Sequence, residues 1–280
     1  MGTALMRAAH TRLDRPVLIE DAWGDRLILD EERETMLARA GGGDADALLR
    51  AHPSYGTVIV RARYAEDLLA DAVSRGVRQY VIIGAGMDSF ALRRPDSPQD
   101  LEIFEVDHPS TQELKTARLE LCGIPLPRGL HLVAADLSET ALDDALASSP
   151  FQSDSPAFFS WLGVTSYLTR EANLATLGAI ASCAPAGSEL VFSYLDQRLL
   201  DSDVAPERLQ RTRAHVASIG EPWVSGFDPD ELGSVLRGAG LEMLENLGPE
   251  DLAARYCAGR DDGLGPSDGA HLAHARVVVG

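Results

Sequence analysis

Short apolar runs alternate with polar, helix-like stretches along most of this chain. QYVIIG ends at Gly84, and LEIFEV (101–106), GLHLVAAD (129–136), SPAFFSWLG (155–163) and GSELVFSYLD (187–196) follow. Each has the length of one strand, and most are apolar on both faces, as buried parallel strands are. Helical stretches separate them. Pro109 suits a first helical turn, Ser138 a cap, and Thr169 the cap of a third helix running to about Cys183. Strand and helix alternating at this spacing predict a parallel sheet with right-handed crossovers.

The region up to about Gly76 reads as helical, broken near RLDRP and at Gly41–Gly43. Its last helix is the clearest, with Ile59, Ala62, Ala65, Leu69, Ala72 and Val73 at helical spacing and Gly76 as a left-handed stop. After Asp196 a polar segment runs to Trp223, too long for a tight connection and read as a lid. Asp228-Pro229-Asp230-Glu231 starts a helix ending near Gly238, GLEMLENLG reads as a strand, and HARVVVG as the final one. The predicted architecture is one Rossmann-like α/β domain over 77–280, with a helical N-terminal cap over 1–76 and an inserted lid at about 197–227.

Composition narrows the partners. The chain carries 25 basic against 43 acidic residues, a formal charge of −18, and no Lys/Arg cluster. That points away from nucleic acid. Cys122, Cys183 and Cys257 form no C-x-x-C pair, so neither a disulfide framework nor a zinc site is expected, and a reducing cytoplasm is the natural setting. No apolar run approaches the roughly 18 residues of a membrane helix, and the start MGTALM fails the myristoylation pattern. A soluble protein without a membrane partner is expected. Nothing in the chain signals an oligomeric state.

In an open parallel sheet, ligands bind beyond the carboxyl ends of the strands. Those ends read Gly84-Ala85-Gly86, Glu105-Val106-Asp107, Ala135-Asp136-Leu137 and Trp161-Leu162-Gly163. Glycines in the first turn let the backbone approach a ligand, although a simple tight turn would use them too. Asp107, at the end of the second strand, suits the hydroxyls of a ribose, or alternatively caps the helix at Pro109. Both features fit NAD as well as S-adenosylmethionine. The rest of the turn separates the two, because Ser89 stands where a dinucleotide fingerprint has Gly or Ala. Asp88 would also set negative charge against a pyrophosphate. Asp136 adds an acceptor for the exocyclic amine of adenine, so the balance favours S-adenosylmethionine.

VRARYAEDLL, RQYVIIGAGMDSFALR, FEVDHPSTQELK, VAADL and WLGVTSYLT together resemble the leucine carboxyl methyltransferase-like family of S-adenosylmethionine-dependent methyltransferases. The resemblance runs in order from about residue 56 to 196. Its branch is abundant in actinobacteria and includes polyketide O-methyltransferases. It implies a class I methyltransferase sheet and assigns roles by position. Arg61 would meet the methionine carboxylate, Gly84 and Gly86 would line methionine and ribose, and Asp107 would hold the ribose. Asp136 and Leu137 would hold adenine. Many relatives end the fourth strand in Glu-Gly, whereas here it reads Leu162-Gly163. Tyr167 keeps the family's tyrosine and is placed to face the acceptor.

The expected reaction is in-line methyl transfer to a carboxylate or hydroxyl of a small molecule. A carboxylate is already ionised at neutral pH, whereas a hydroxyl needs a base. Candidates for the acceptor side are Tyr167, Tyr194 beside Asp196, and His215 in the lid. His108 sits at a helix start, and His271 and His274 would face opposite sides of a strand, which argues against a metal site. Two other readings stand beside this one, an NAD-dependent oxidoreductase and a catalytically silent, regulatory S-adenosylmethionine-binding protein.

Overall fold

The computed structural model describes residues 2–39, 42–94, 100–137, 139–201, 205–218, 220 and 222–279, without the side chains of residues 36, 37, 39, 208 and 215. Ser138, expected as a cap, and Gly41 of the glycine run lie outside the described residues. Helices α1 (Gly2–Leu13), α2 (Gly24–Leu27), α3 (Asp30–Arg39), α4 (Ala45–Ala51) and α5 (Tyr55–Ser74) come first. The next stretch runs β1 (Gln79–Ile83), α6 (Phe90–Arg93), β2 (Glu102–Asp107), α7 (Pro109–Leu121), β3 (Leu130–Ala134), α8 (Leu142–Ala147) and β4 (Ala157–Trp161). After a 3-10 turn at Thr165–Tyr167 come α9 (Arg170–Cys183), β5 (Glu189–Leu195), α10 (Gln197–Leu200) and α11 (Glu207–Ser218). The chain closes with α12 (Leu232–Gly238), β6 (Leu241–Leu247), α13 (Pro249–Tyr256) and β7 (Ala270–Val277).

The strands form one seven-stranded sheet in the order β3-β2-β1-β4-β5-β7-β6. The first five are parallel, while β7 runs antiparallel to both β5 and β6. Each apolar run serves two cores. In β1, Val81 and Ile83 pack with α8, α9 and α12, and Tyr80 and Ile82 pack with α5 and α13. Burial on both faces is why these strands read as continuous apolar runs. Strand order reverses between β1 and β4, so a crevice opens at their carboxyl ends.

Local signals behave as their chemistry dictates. Gly76 ends α5 at φ +104°, a conformation that favours glycine. Thr169 Oγ1 accepts the Ala172 amide at 3.2 Å and opens α9. The N-cap of α7 is His108, whose Nδ1 accepts the Ser110 amide at 3.2 Å, which leaves Asp107 free of a capping role. Two boundaries differ from the sequence pattern. The Asp228-Pro229 signal makes a turn, with the Leu232 amide bonded to the Asp228 carbonyl at 3.0 Å, and α12 itself starts four residues later. The last strand begins at Ala270 and not at His274, and Val278 and Val279 lie beyond it, exposed. Among the described residues no helix is long and apolar enough to cross a membrane.

Candidate active site

The turn after β1 carries the first half of the site. Gly84 and Gly86 adopt φ of +69° and +55°. A side chain at Gly84 would collide with Val164 Cγ2 in the loop after β4, whereas nothing lies within 4 Å of a Cβ at Gly86. Gly84 therefore lets β1 and β4 close up, and Gly86 keeps a backbone face open to a ligand. Asp107 pins this turn, its Oδ2 accepting the Gly86 amide at 2.6 Å and its Oδ1 the His108 amide at 2.7 Å. Each carboxylate oxygen still has a lone pair for a ribose hydroxyl. Asp136 stands at the end of β3, 3.6 Å from His108 Nε2, and Leu137 packs partly buried against the sheet core.

A second layer holds the turn from behind. Lys115 on α7, almost fully buried, donates to the Asp88 carbonyl at 2.7 Å and pairs with Glu105. Burial raises the Glu105 carboxyl to about 7 against the opposing pull of Lys115. From the N-terminal side, Arg7 Nη2 reaches the Met87 carbonyl at 3.2 Å while its Nε binds Asp21 at 2.7 Å. Ser89 donates to the same Asp21 oxygen at 2.6 Å. The Asp88 carboxylate accepts the Phe90 amide at 2.7 Å, so an acid already occupies the start of α6. That is where a pyrophosphate would need to bind.

The decisive side chain is Arg61, on α5. Its guanidinium lies flat on Gly163, where a Cβ would stand 2.7 Å from Cζ, and Gly163 has φ +73°. Among the described residues Arg61 has neither a hydrogen-bond acceptor nor an ion-pair partner, although Asp107 and Asp136 are only strands away. Burial, reinforced by the nearby Arg7 guanidinium, lowers its pKa to about 10. A half-buried guanidinium that lacks a partner is unfavourable unless a ligand supplies an anion.

Arg61 lines a cavity of about 670 Å³ between the N-terminal helices, α11 and the ends of β4, β5 and β7. Tyr167 and Tyr194 line it too, and so do Leu209, Thr212 and Val216 on one face of α11. Gly84, Gly86, Asp107, Asp136 and Leu137 are not in its wall. They flank it on the β1–β3 side. The expected residues thus divide between the crevice at the carboxyl ends of β1–β3 and the cavity that Arg61 lines. His215 belongs to α11, but its side chain is outside the described residues. Tyr194 is 3% exposed, its hydroxyl donates to Asn246 Oδ1 at 2.8 Å, and burial pushes its pKa up. Asp196, beside it, caps α10 through the Arg198 amide at 3.0 Å.

Leu162 replaces the acid of many relatives and packs against the α5-side core. His271 and His274 indeed face opposite sides of β7, His271 toward the cavity and His274 toward Glu189 at 2.9 Å. Arg7 and His271 have no short-range signature in the sequence. Arg7 meets the turn across 80 residues, and His271 reaches the cavity only through the antiparallel pairing of β7 with β5.

Known proteins share this chain's family and its fold. The family model described as leucine carboxyl methyltransferase matches residues 1–181. YktD of Bacillus subtilis, named as an S-adenosyl-L-methionine-dependent methyltransferase, is 33% identical over 98% of this chain and 95% of its own length. A Mycolicibacterium smegmatis protein of the same designation is 32% identical over 86% of this chain and 82% of its own. Among solved structures, a DUF574 family protein from Streptomyces avermitilis superimposes with TM-score 0.58 at 18% identity, covering 90% of this chain and 96% of that one. A methyltransferase structure from Thermobifida fusca gives TM-score 0.57 at 18% identity, over 91% and 94%. The family match over residues 1–181 and the 33% identity across nearly the whole of both chains show that the chain belongs to the leucine carboxyl methyltransferase family of S-adenosylmethionine-dependent methyltransferases.

Proposed function

We propose that this S-adenosylmethionine-dependent methyltransferase methylates an oxygen atom, a carboxylate or hydroxyl, of a small molecule. The cofactor's features match the crevice. Arg61 is the counter-ion for an amino-acid carboxylate, Gly84 and Gly86 give a bare backbone wall, Asp107 suits a ribose, and Asp136 with Leu137 suits adenine. When bound, S-adenosylmethionine supplies a methyl group on a cationic sulfur. The chain's own part is to hold that group at the mouth of the cavity, keep water out and orient the acceptor behind it. Such positioning accounts for several kcal/mol of barrier.

The observation that carries the reading is the half-buried Arg61, without a partner among the described residues, on the cavity wall beside Gly163. The cavity lining favours oxygen over a cationic amine. Asp268 is the one carboxylate among its described lining residues, against Arg33, Arg61, His52 and His271. The helices of residues 1–76 act as a cap, and the segment 197–227 acts as a lid, together shaping the acceptor site.

Thermal shift and isotope transfer test the proposal. S-adenosylhomocysteine at about 100 times its dissociation constant should stabilise the fold by about 2.7 kcal/mol, and NADH should not. Labelled methyl should then appear in small carboxylic acids or phenols. Binding without transfer to any of them would instead favour the silent regulatory reading, which the Leu162 replacement also suggests.

A further inference from the structure

One titratable group in the cavity wall has no structural duty. His271 is the second residue of β7, directly opposite Tyr194 in the β5–β7 ladder, at the end where the carboxyl end of β5 lies. Its ring stacks on Tyr194, with centroids 5.1 Å apart and planes at 25°. Nδ1 is sealed from solvent and has no partner among the described residues. The ring lines the cavity, so Nε2 is the nitrogen left for a ligand. In the tautomer that carries the hydrogen on Nδ1, the lone pair is available at Nε2. Strand spacing places His271 two strands, about 10 Å, from the end of β4. That is the acceptor's side of Arg61.

The other charged groups are committed. Arg61 serves the cofactor carboxylate. Arg33, at the N-terminal side, donates to the Asp25 carbonyl at 3.2 Å and pairs with its carboxylate at 3.5 Å. His52 accepts the Ser54 amide on Nδ1 at 3.2 Å. Arg198, the cation near His271, is tied to Asp196 at 2.9 Å and to Asp230 at 2.8 Å, which leaves it committed rather than open to an acceptor carboxylate. What lies there is Tyr194, Leu195, Ala270, a neutral imidazole and the Asp268 carboxylate, which repels an anionic acceptor.

We propose that His271 is the general base for an uncharged hydroxyl acceptor, a phenol or enol on an apolar skeleton. The inference rests on the methyltransferase reading above. The acceptor oxygen bonds to the methyl carbon while the carbon–sulfur bond breaks with its electron pair on sulfur, and the hydroxyl proton passes to Nε2. One positive charge moves from sulfonium to imidazolium, and no further reactant is required. Burial keeps the resting imidazole neutral by lowering its pKa below 6.5; Asp196 and Asp251 oppose that shift and Arg198 reinforces it. The base is therefore ready at neutral pH.

The test compares 2-naphthol with 2-naphthoic acid as acceptors, in wild type and in His271→Asn. Wild type should methylate the naphthol in preference to the acid. The variant should lose at least about 100-fold in kcat/KM for naphthol, along with the acidic limb of the pH profile. Its affinity for S-adenosylhomocysteine should stay within about twofold, a sign that the fold is intact. As a readout independent of turnover, 2-naphthol added to the S-adenosylhomocysteine-loaded protein should shift the His271 imidazole resonances in NMR. Naphthol methylation surviving in His271→Asn, preference for the acid, or unmoved imidazole resonances would each overturn the proposal. If wild type failed to bind S-adenosylhomocysteine at all, the methyltransferase reading would fall first, which is a separate result.

Discussion

Replacing Gly163 with Ala probes the contact on which the cofactor assignment turns. Gly163 has φ +73°, and its added Cβ would stand 2.7 Å from Arg61 Cζ, far inside van der Waals contact. Two separable effects follow. A left-handed backbone at a residue with a Cβ costs about 1–2 kcal/mol in stability. At roughly 2–4 °C per kcal/mol for a chain of this size, the melting temperature falls by about 2–8 °C. The second effect is on binding, because the guanidinium must leave its seat. A hydrogen bond to a charged group contributes about 1.5–3 kcal/mol, so affinity for S-adenosylhomocysteine should drop by about 10- to 150-fold. Isothermal titration calorimetry on wild type, Gly163→Ala, Arg61→Ala and the double variant separates the two. In the Arg61→Ala background the glycine substitution should still lower the melting temperature but hardly weaken binding further. If Gly163→Ala weakened binding equally with and without Arg61, the seat would have no bearing on the cofactor, and the reasoning would be refuted.

Three further outcomes are expected. Lys115→Met leaves Glu105 as an unpaired buried acid and frees the Asp88 carbonyl, so chemical denaturation should show a loss of about 3–5 kcal/mol; adding Glu105→Leu should recover most of it, and a double variant as unstable as the single would contradict this. His10 is held neutral by burial, which outweighs the opposing Asp14, and its Nε2 accepts the Leu18 amide at 2.9 Å. Because its folded pKa lies below the unfolded 6.5, its stabilising contribution is complete above that value and fades as pH falls, so the stability gap between wild type and His10→Gln should narrow from pH 7.5 to 5; a constant gap would argue against it. Tyr194→Phe should reduce stability by about 1 kcal/mol through the lost Asn246 bond with S-adenosylhomocysteine affinity unaltered, and a large affinity loss in calorimetry would move Tyr194 into the cofactor site.

Much of this organisation was legible in the sequence because the parallel strands are buried on both faces and so appear as unbroken apolar runs. QYVII, EIFEVD and AFFSW each announce themselves that way, and the carboxyl ends of the strands point directly to Gly84, Asp107 and Asp136. The final strand was misjudged for a physical reason. Its buried positions Ala270, Ala273 and Ala275 are small, and of its polar members His274 is buried and His271 half-buried in the ladder with β5. The VVV run that looked like a strand is mostly past its end. Long-range ion contacts left no local trace either. Asp21 joins Arg7 to Ser89 across the chain, and Arg61 gains meaning only when Gly163, about a hundred residues later, is seen beneath it.

The account as a whole rests on Arg61 waiting for the cofactor's carboxylate. A crystal structure with S-adenosylhomocysteine bound tests that directly. The expected result has the methionine carboxylate on the Arg61 guanidinium, the ribose on Asp107 and the sulfur facing the cavity that His271 lines. A ligand whose carboxylate lies elsewhere, with Arg61 still unpaired on Gly163, would contradict it.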